Sequence, residues 1–464
     1  MFQWHNTSSS KSGIQILLAP DKFKGTLTSR EAAEAMSHGL SIPLPNSRTI
    51  IVPFADGGEG TLNILEEAGI CRIIKENVRG PFDNPIETIW GISHDGITAW
   101  LELSAVAGPQ ASTSGRPARA SGKQTTGTRE LTTVASKLIT ASKYRTVSDC
   151  YRNPMTASTQ GLGMLMEKAL AYGVRELIIF AGGSITCDGG TGAMAALGAR
   201  FLDSSGNVLP QGGGALVNLA EIDLSNLNPL LSRASVTIAA DVFCPMHGPD
   251  GAAMVFAPQK GANPADTTIL DAGLRKLTQL LNASGQQNAA LHHGLSAQLN
   301  AAEQLNGAKS LDAMPMGLSG RGSALPFAEI GGAAGGAAGG LAAMCGGIIL
   351  SGGEIMARTL GIPELIASSN LVITGEGRTD GQTVMGKGPW IIASIAKKMG
   401  IPVLILSGSL GPGWEECQRR GISVMAAANN GVRPGLPLPA ECHAMLRQRT
   451  IEIGYALVNG GIRP

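Results

Sequence analysis

The run Leu177-Ile178-Ile179-Phe180, leading straight into Ala181-Gly182-Gly183-Ser184-Ile185-Thr186-Cys187-Asp188-Gly189-Gly190-Thr191-Gly192, admits few folds. A short apolar run without polar alternation reads as a strand buried on both faces, as in a parallel sheet. The small residues Ala193-Met194-Ala195-Ala196-Leu197 that follow read as a helix start. Strand, glycine loop and helix together aim backbone N–H groups at an anion. Asp188 puts a carboxylate inside that loop, which is electrostatically awkward unless a cation stands beside it. The combination points to metal-assisted phosphate chemistry.

The same unit recurs along the chain. Ile14–Pro20 reads as a strand ending in Asp21-Lys22-Phe23-Lys24-Gly25, after which Thr28 and Glu31 have the spacing of a helix capping box. Thr49–Pro53 leads into Asp56-Gly57-Gly58-Glu59-Gly60-Thr61. Cys71–Val78, Pro85–Ile92 and Thr98–Leu103 read as shorter antiparallel strands, and Glu176–Phe180 and Ser235–Ala240 as parallel ones. Further strands are expected at 371–374, 402–406 and 422–427, with helical sequence between them. Alternating β-α ends around an antiparallel middle predict an α/β fold of two domains. One is Rossmann/flavodoxin-like with a parallel sheet, split over 12–64 and 330–464. The other is an inserted mixed-sheet α/β domain over 65–329, with flexible insertions expected at 111–152 and 283–325.

Composition narrows the function classes. Lys+Arg of 36 against Asp+Glu of 35 leaves no basic excess for nucleic acid or an anionic membrane. Aromatic residues are 4% of the chain, too few for a base-stacking surface. The 63 glycines are about twice the usual share and gather beside apolar strands, as ligand-approaching turns do. The seven cysteines are scattered, which fits a reducing compartment better than a disulfide framework. Cys187, beside Asp188, reads as a small loop filler rather than a nucleophile, with no histidine near it in sequence. Met1–Gly13 has no apolar core or arginines of a targeting segment. A cytoplasmic protein with no nucleic-acid or membrane partner is expected. The apolar stretch 330–350 reads as a packed Gly/Ala helix rather than a span. Oligomeric state is open, a homodimer being one option.

Phosphoryl transfer needs cations on the phosphates, oxygen ligands for Mg²⁺ and a group to orient or deprotonate the attacking hydroxyl. Four strand-end loops carry these residue types: Asp21, Lys22 and Lys24; Asp56 and Glu59; Ser184 and Asp188; Glu376, Arg378 and Asp380. In an open parallel sheet ligands bind at the carboxyl ends of the strands, so the four loops can share one crevice. Gly381-Gln382-Thr383-Val384-Met385-Gly386-Lys387-Gly388 has P-loop spacing but ends in glycine where Ser or Thr holds Mg²⁺, so a true Walker A is not expected. Lys387 remains a cation for a phosphate or an acid substrate.

Ala19–Leu27 and Pro53–Thr61 together resemble the bacterial-type glycerate kinase family. So do Gly182–Gly190, Ala240-Asp241-Val242, Phe256-Ala257-Pro258-Gln259-Lys260-Gly261 and Ile373–Asp380. The resemblance covers most of 14–430 in the right order. It implies ATP- and Mg²⁺-dependent phosphorylation of D-glycerate, most often at the 2-hydroxyl. It further implies Asp188, Lys22, Lys24 and Arg378 in catalysis, with Asp188 orienting or deprotonating the hydroxyl. Gly182, Gly183, Ser184, Gly189, Gly190, Gly375, Glu376 and Gly377 fall at the nucleotide. Asp21, Lys24, Arg378 and Asp380 fall at the substrate, and Asp56, Glu59 and Asp241 at the metal. The family pattern has serine at Lys22, asparagine at Cys187 and an acid at Met164. Phosphorylation at the 3-hydroxyl or of another small hydroxy acid stays open, and the Met164 departure with the two insertions keeps open a non-catalytic acid-binding regulator.

Overall fold

The computed structural model describes residues 13–111, 153–285, 327–426 and 438–459. Nearly all of the expected insertion 111–152, and that at 283–325 beyond Gly285, lie outside the described residues. Residues 283–285 complete a long helix, Pro264–Gly285.

Fifteen strands are described: β1 (Gln15–Leu18), β2 (Arg48–Ile51), β3 (Cys71–Arg79), β4 (Pro85–Ser93), β5 (Thr98–Glu102), β6 (Glu176–Ala181), β7 (Arg200–Leu202), β8 (Glu221–Asp223), β9 (Ser235–Ala240), β10 (Ile348–Ser351), β11 (Leu371–Thr374), β12 (Arg378–Thr379), β13 (Val403–Ser407), β14 (Ser409–Leu410) and β15 (Ser423–Ala426). Five form one sheet in the order β15-β13-β11-β1-β2, every pair parallel. Counted along the chain this is the 2-1-3-4-5 order of flavodoxin-like folds, whose topological switch point lies between its first and third strands. Here those are β1 and β11, so the crevice at the carboxyl end of this sheet opens between the loops that begin at Asp21 and at Gly375.

The second sheet runs β10-β9-β6-β5-β4-β3. Its β10, β9, β6 and β5 are parallel, while β4 and β3 are antiparallel. The expected third antiparallel strand, β5, is therefore the hinge of the mixture: antiparallel to β4 on one side and parallel to β6 on the other. Two α/β domains, one parallel and one mixed, are thus present. β10 belongs to the second sheet, and the helix Ala337–Cys345 packs into that sheet's core. On sheet membership we propose that the chain returns to the first domain after 351 rather than at 330. The apolar stretch 330–350 is a nine-residue helix and a strand, and among the described residues no helix is long and apolar enough to cross a membrane.

Local sequence explains the elements near the site. Thr28 caps the helix Ser29–Leu40 in a full capping box, its Oγ1 accepting from Glu31 N while Glu31 accepts from Thr28 N at 2.8 Å. One apolar cluster takes Leu17 and Val372 from the first sheet and Ile178, Phe180 and Ala239 from the second, with Phe54 and the helix Gly388–Lys398 between them. Fully buried Phe54 and Phe180 each stabilise this seam by about 1.5–3 kcal/mol relative to exposure. The seam brings the strand ends of both sheets together.

Candidate active site

The four loops meet. Asp21 N donates to the carbonyl of Gly375 at 2.8 Å, joining the loops after β1 and β11 at the switch point. Gly57, with φ +95°, turns so tightly that a Cβ there would lie 3.1 Å from Phe180 Cδ1 and 3.3 Å from Gly352 Cα. A Cβ on Gly182 would lie 3.1 Å from Asp241 Oδ2 and 3.4 Å from the Gly57 carbonyl. These glycines are needed where the loops after β2, β6 and β9 press together.

Three carboxylates crowd this junction. Asp21 is buried, and burial, then the neighbouring Asp56, raises its carboxyl well above the usual range. Asp241 is pushed up to about 6 by burial and by the same Asp56. Asp56 therefore faces acidic neighbours on both sides. Mutual repulsion in a poorly solvated cleft is the electrostatic setting that a divalent cation relieves. Glu59 is placed differently: it is exposed, its Oε1 accepts from Gln110 Nε2 at 2.8 Å, and its carbonyl accepts from Lys22 Nζ at 2.6 Å. Among the described residues no group of three or more His, Cys, Asp or Glu side chains is placed to hold a metal by itself. Mg²⁺ commonly takes one or two carboxylates and leaves its other positions to water and substrate phosphate, so hard oxygens from Asp56 and Asp241 fit it without such a cage.

Asp188 is wholly buried. Its Oδ2 accepts from Thr159 N at 2.8 Å, Thr159 Oγ1 at 2.9 Å and Gly192 N at 3.2 Å, and its Oδ1 accepts from Gly190 N at 3.2 Å. Burial raises its carboxyl pKa and these bonds oppose the rise. The carboxylate ties the segment before the helix Gln160–Tyr172 to the start of the helix Thr191–Ala196, and both oxygens face protein donors. Gly189 and Gly190 lie under the helix Ala337–Cys345, where a Cβ on Gly340 would overlap the Gly189 carbonyl. Ser184 is buried beside Lys260.

Lys260, absent from the expected site, is a buried cation under the same loop. Its Nζ donates to the Thr186 carbonyl at 2.8 Å and to Ser184 Oγ at 3.4 Å. Burial lowers its pKa, while Cys187, Asp241 and Asp188 pull it back up. The signal was in the sequence, inside Phe256–Gly261, but a lysine after an apolar helix carries no mark of burial. Burial also pushes the Cys187 thiol up to about 11, so it is protonated at neutral pH and fills the loop. Met164 packs against the second sheet's core.

On the other wall, Glu376 is buried, and its Oε1 accepts from Thr379 Oγ1 at 3.1 Å and from Thr383 Oγ1 at 2.6 Å. Lys387 Nζ lies 3.7 Å from Glu376 Oε2 and 3.5 Å from Asp380 Oδ1. The P-loop-like segment folds as the single turn Thr383–Met385, and Lys387 then precedes the helix Gly388–Lys398 without capping it through its side chain. Asp380 thus serves Lys387 and its own turn, its Oδ1 accepting from Gln382 N at 2.9 Å. Lys24 and Arg378 are exposed; Arg378 lies across Gly411, and a Cβ on Gly377 would lie 3.3 Å from Lys24 N. Both cations are therefore open to solvent.

A flavodoxin-type sheet and a mixed sheet whose strand ends meet over carboxylates rimmed by lysine and arginine define a two-domain α/β enzyme of the small-molecule kinase type. Comparison with known proteins makes the class specific. The model of the Glycerate kinase family matches residues 16–138 and 138–456. The glycerate kinase of Bacillus subtilis (strain 168) is 34% identical over 421 residues, 91% of this chain and 92% of that protein. The glycerate 2-kinase of Escherichia coli (strain K12) is 34% identical over 397 residues, 86% of each chain. A crystal structure assigned to glycerate kinase 2 of Salmonella typhimurium LT2 superposes with a TM-score of 0.65 at 29% identity, covering 97% of this chain and 99% of that one. The chain belongs to the glycerate kinase family and is an enzyme of the kinase class.

Proposed function

We propose that this enzyme transfers the γ-phosphoryl group of ATP to D-glycerate, at the 2-hydroxyl, giving 2-phosphoglycerate. The observation that carries the reading is the junction of Asp21, Asp56 and Asp241 at strand ends of both sheets, with Lys22 beside it and with the segments that carry Lys24, Arg378 and Lys387 adjoining it. Glycerate presents one carboxylate and two hydroxyls, and the exposed Lys24 and Arg378 suit the carboxylate and the phosphates. The backbone amides of 182–184 and 375–377 suit phosphate oxygens, whereas those of Gly189 and Gly190 are taken by the Gly335 carbonyl and Asp188 Oδ1. Asp56 and Asp241 are the residues to hold Mg²⁺, which when bound neutralises charge on the transferring phosphoryl. The glycerate 2-kinase relative supports attack by the 2-hydroxyl over the 3-hydroxyl.

Phosphoryl transfer through a loose transition state depends mainly on positioning and charge neutralisation. Asp188, with both oxygens committed to amides and Thr159, is best suited to hold the glycine loop in shape. Lys387, tethered by Glu376 and Asp380, is a fixed ammonium suited to a phosphate or the substrate carboxylate. Glu59 is better suited to fastening its loop to Gln110 than to binding the cation. A coupled assay tests the reading: protein, ATP, Mg²⁺ and D-glycerate, followed by enolase without a mutase. Enolase turnover supports 2-phosphoglycerate. ADP release without it replaces the 2-hydroxyl by the 3-hydroxyl, and no ADP release sinks the substrate assignment.

A further inference from the structure

Glu102 ends β5 of the second sheet, and its carboxylate serves the helix Thr61–Glu67, which follows the loop after β2 of the first sheet and packs on the second sheet. Oε1 accepts from Leu62 N at 2.6 Å, and Oε2 accepts from Gly60 N at 3.4 Å and from Ser104 Oγ at 3.3 Å. The helix Thr61–Glu67 has no local side-chain cap: its N-cap is Gly60, at φ 92°. Helix-start amides need an acceptor from elsewhere, and here it comes from the end of a strand on which the helix packs, distant in sequence. Glu102 is 5% exposed, and burial raises its carboxyl pKa while the two amides, Ser104 and Lys22 oppose that rise.

The loop Asp56–Glu59 is attached directly to this anchored helix start. A second tie, Gln110 Nε2 to Glu59 Oε1, also comes from beyond β5. Gly57 lies close against Phe180, and Lys22 Nζ holds the Glu59 carbonyl at 2.6 Å, so Glu102 holds the loop together with these ties. We propose that Glu102 is a positioning residue that registers the Asp56–Glu59 loop, which leaves β2 of the first sheet, against the Gly182–Asp188 loop of the second sheet. It thereby fixes where Asp56 stands in the crevice. The proposal deepens the kinase reading above and rests on it for its kinetic consequence, though not for its structural one.

The test uses full-length Glu102→Gln and Glu102→Ala protein. Gln keeps one acceptor but turns an amide NH₂ against the other backbone donor, so its effect should lie between parent and Ala. Two readouts are taken together. Hydrogen exchange of the ligand-free protein should show peptides covering 57–66 exchanging at least tenfold faster, with 177–192 and 371–376 unchanged. Kinetics should show the Mg²⁺ concentration for half-maximal activity rising at least fivefold and kcat falling about tenfold or more, with KM for D-glycerate within threefold of parent. A purely structural role would speed exchange in both sheets and lower kcat only with the folded fraction, and that result overturns the proposal. So does a folded Ala variant with 57–66 exchange, kcat and Mg²⁺ response all within twofold of parent. Should the Ala variant not fold, Glu102→Gln and Ser104→Ala carry the same comparison with smaller expected shifts. Should the parent not phosphorylate glycerate at all, the kinase reading fails, and local against uniform exchange still decides the role of Glu102.

Discussion

Replacing Asp188 by Asn separates an anchoring carboxylate from one that faces the reacting hydroxyl. The amide can keep its carbonyl at the Oδ2 position, retaining Thr159 N, Thr159 Oγ1 and Gly192 N, but its NH₂ then opposes Gly190 N. One buried amide left without an acceptor costs about 1–3 kcal/mol, and three bonds that lose charge assistance cost roughly 0.5–1 kcal/mol each. Removing a carboxylate whose ionised form is disfavoured by burial recovers part of this. The net is a loss of about 2–3 kcal/mol, which for a domain of this size lowers Tm by about 4–12 °C. Thermal unfolding followed by circular dichroism measures the first quantity, and ATP-dependent phosphorylation of D-glycerate at 25 °C the second. The expected variant melts earlier and keeps measurable turnover. An unchanged Tm, within 2 °C, with turnover reduced more than a thousandfold would refute the reasoning and return Asp188 to the reacting hydroxyl.

Asp241→Asn should raise Tm at pH 8 in the absence of Mg²⁺ while nearly abolishing activity. The folded pKa of about 6 lies above the reference 3.8, so the native state binds the extra proton in that window and stability falls as pH rises through it. About two units correspond to a penalty on the order of 3 kcal/mol above pH 6, absent below pH 4. An Asn variant that is no more stable at pH 8 contradicts this. Arg378→Ala should raise KM for D-glycerate or ATP about 10- to 100-fold, the worth of a charged hydrogen bond, with Tm unchanged because the side chain is exposed. Steady-state kinetics would count against it if both KM values stayed within twofold. Cys187→Ala should keep turnover within threefold and lose about 1 kcal/mol of stability, since the thiol is a protonated filler. Loss of turnover in a folded Cys187→Ala protein would instead point to sulfur chemistry.

Much of the architecture was legible in short apolar runs. The strands near 15, 50, 178, 238, 372, 405 and 424 stand within a residue or two of expectation, because strands of a parallel sheet covered by helices leave a short apolar record, even at the edge positions of β2 and β15. The capping box at Thr28 was legible for a similar reason, being wholly local. β10 was hidden inside a Gly/Ala stretch that resembles a helix, and β7, β8, β12 and β14 are too short to leave a period. The same limit applies to the site. Asp56, Asp241, Lys24 and Arg378 advertise themselves as polar residues at strand ends, whereas Glu102 and Lys260 look like ordinary surface charges until their burial is seen.

By itself the sequence determined the strand–glycine–helix units, the residue types each loop carries, and a family signature spread over nearly the whole chain. Those features depend on neighbours within a few residues, so the order of the letters contains them. Only the tertiary structure decided which charges are buried and with whom. It took Asp188 into a closed ring of donors, turned Glu59 outward to Gln110, set Asp56 between Asp21 and Asp241, and buried Glu102 under the start of the helix that follows the Asp56–Glu59 loop. Desolvation and hydrogen-bond geometry are properties of that packing, and they fix the chemistry of a carboxylate that the sequence can only name.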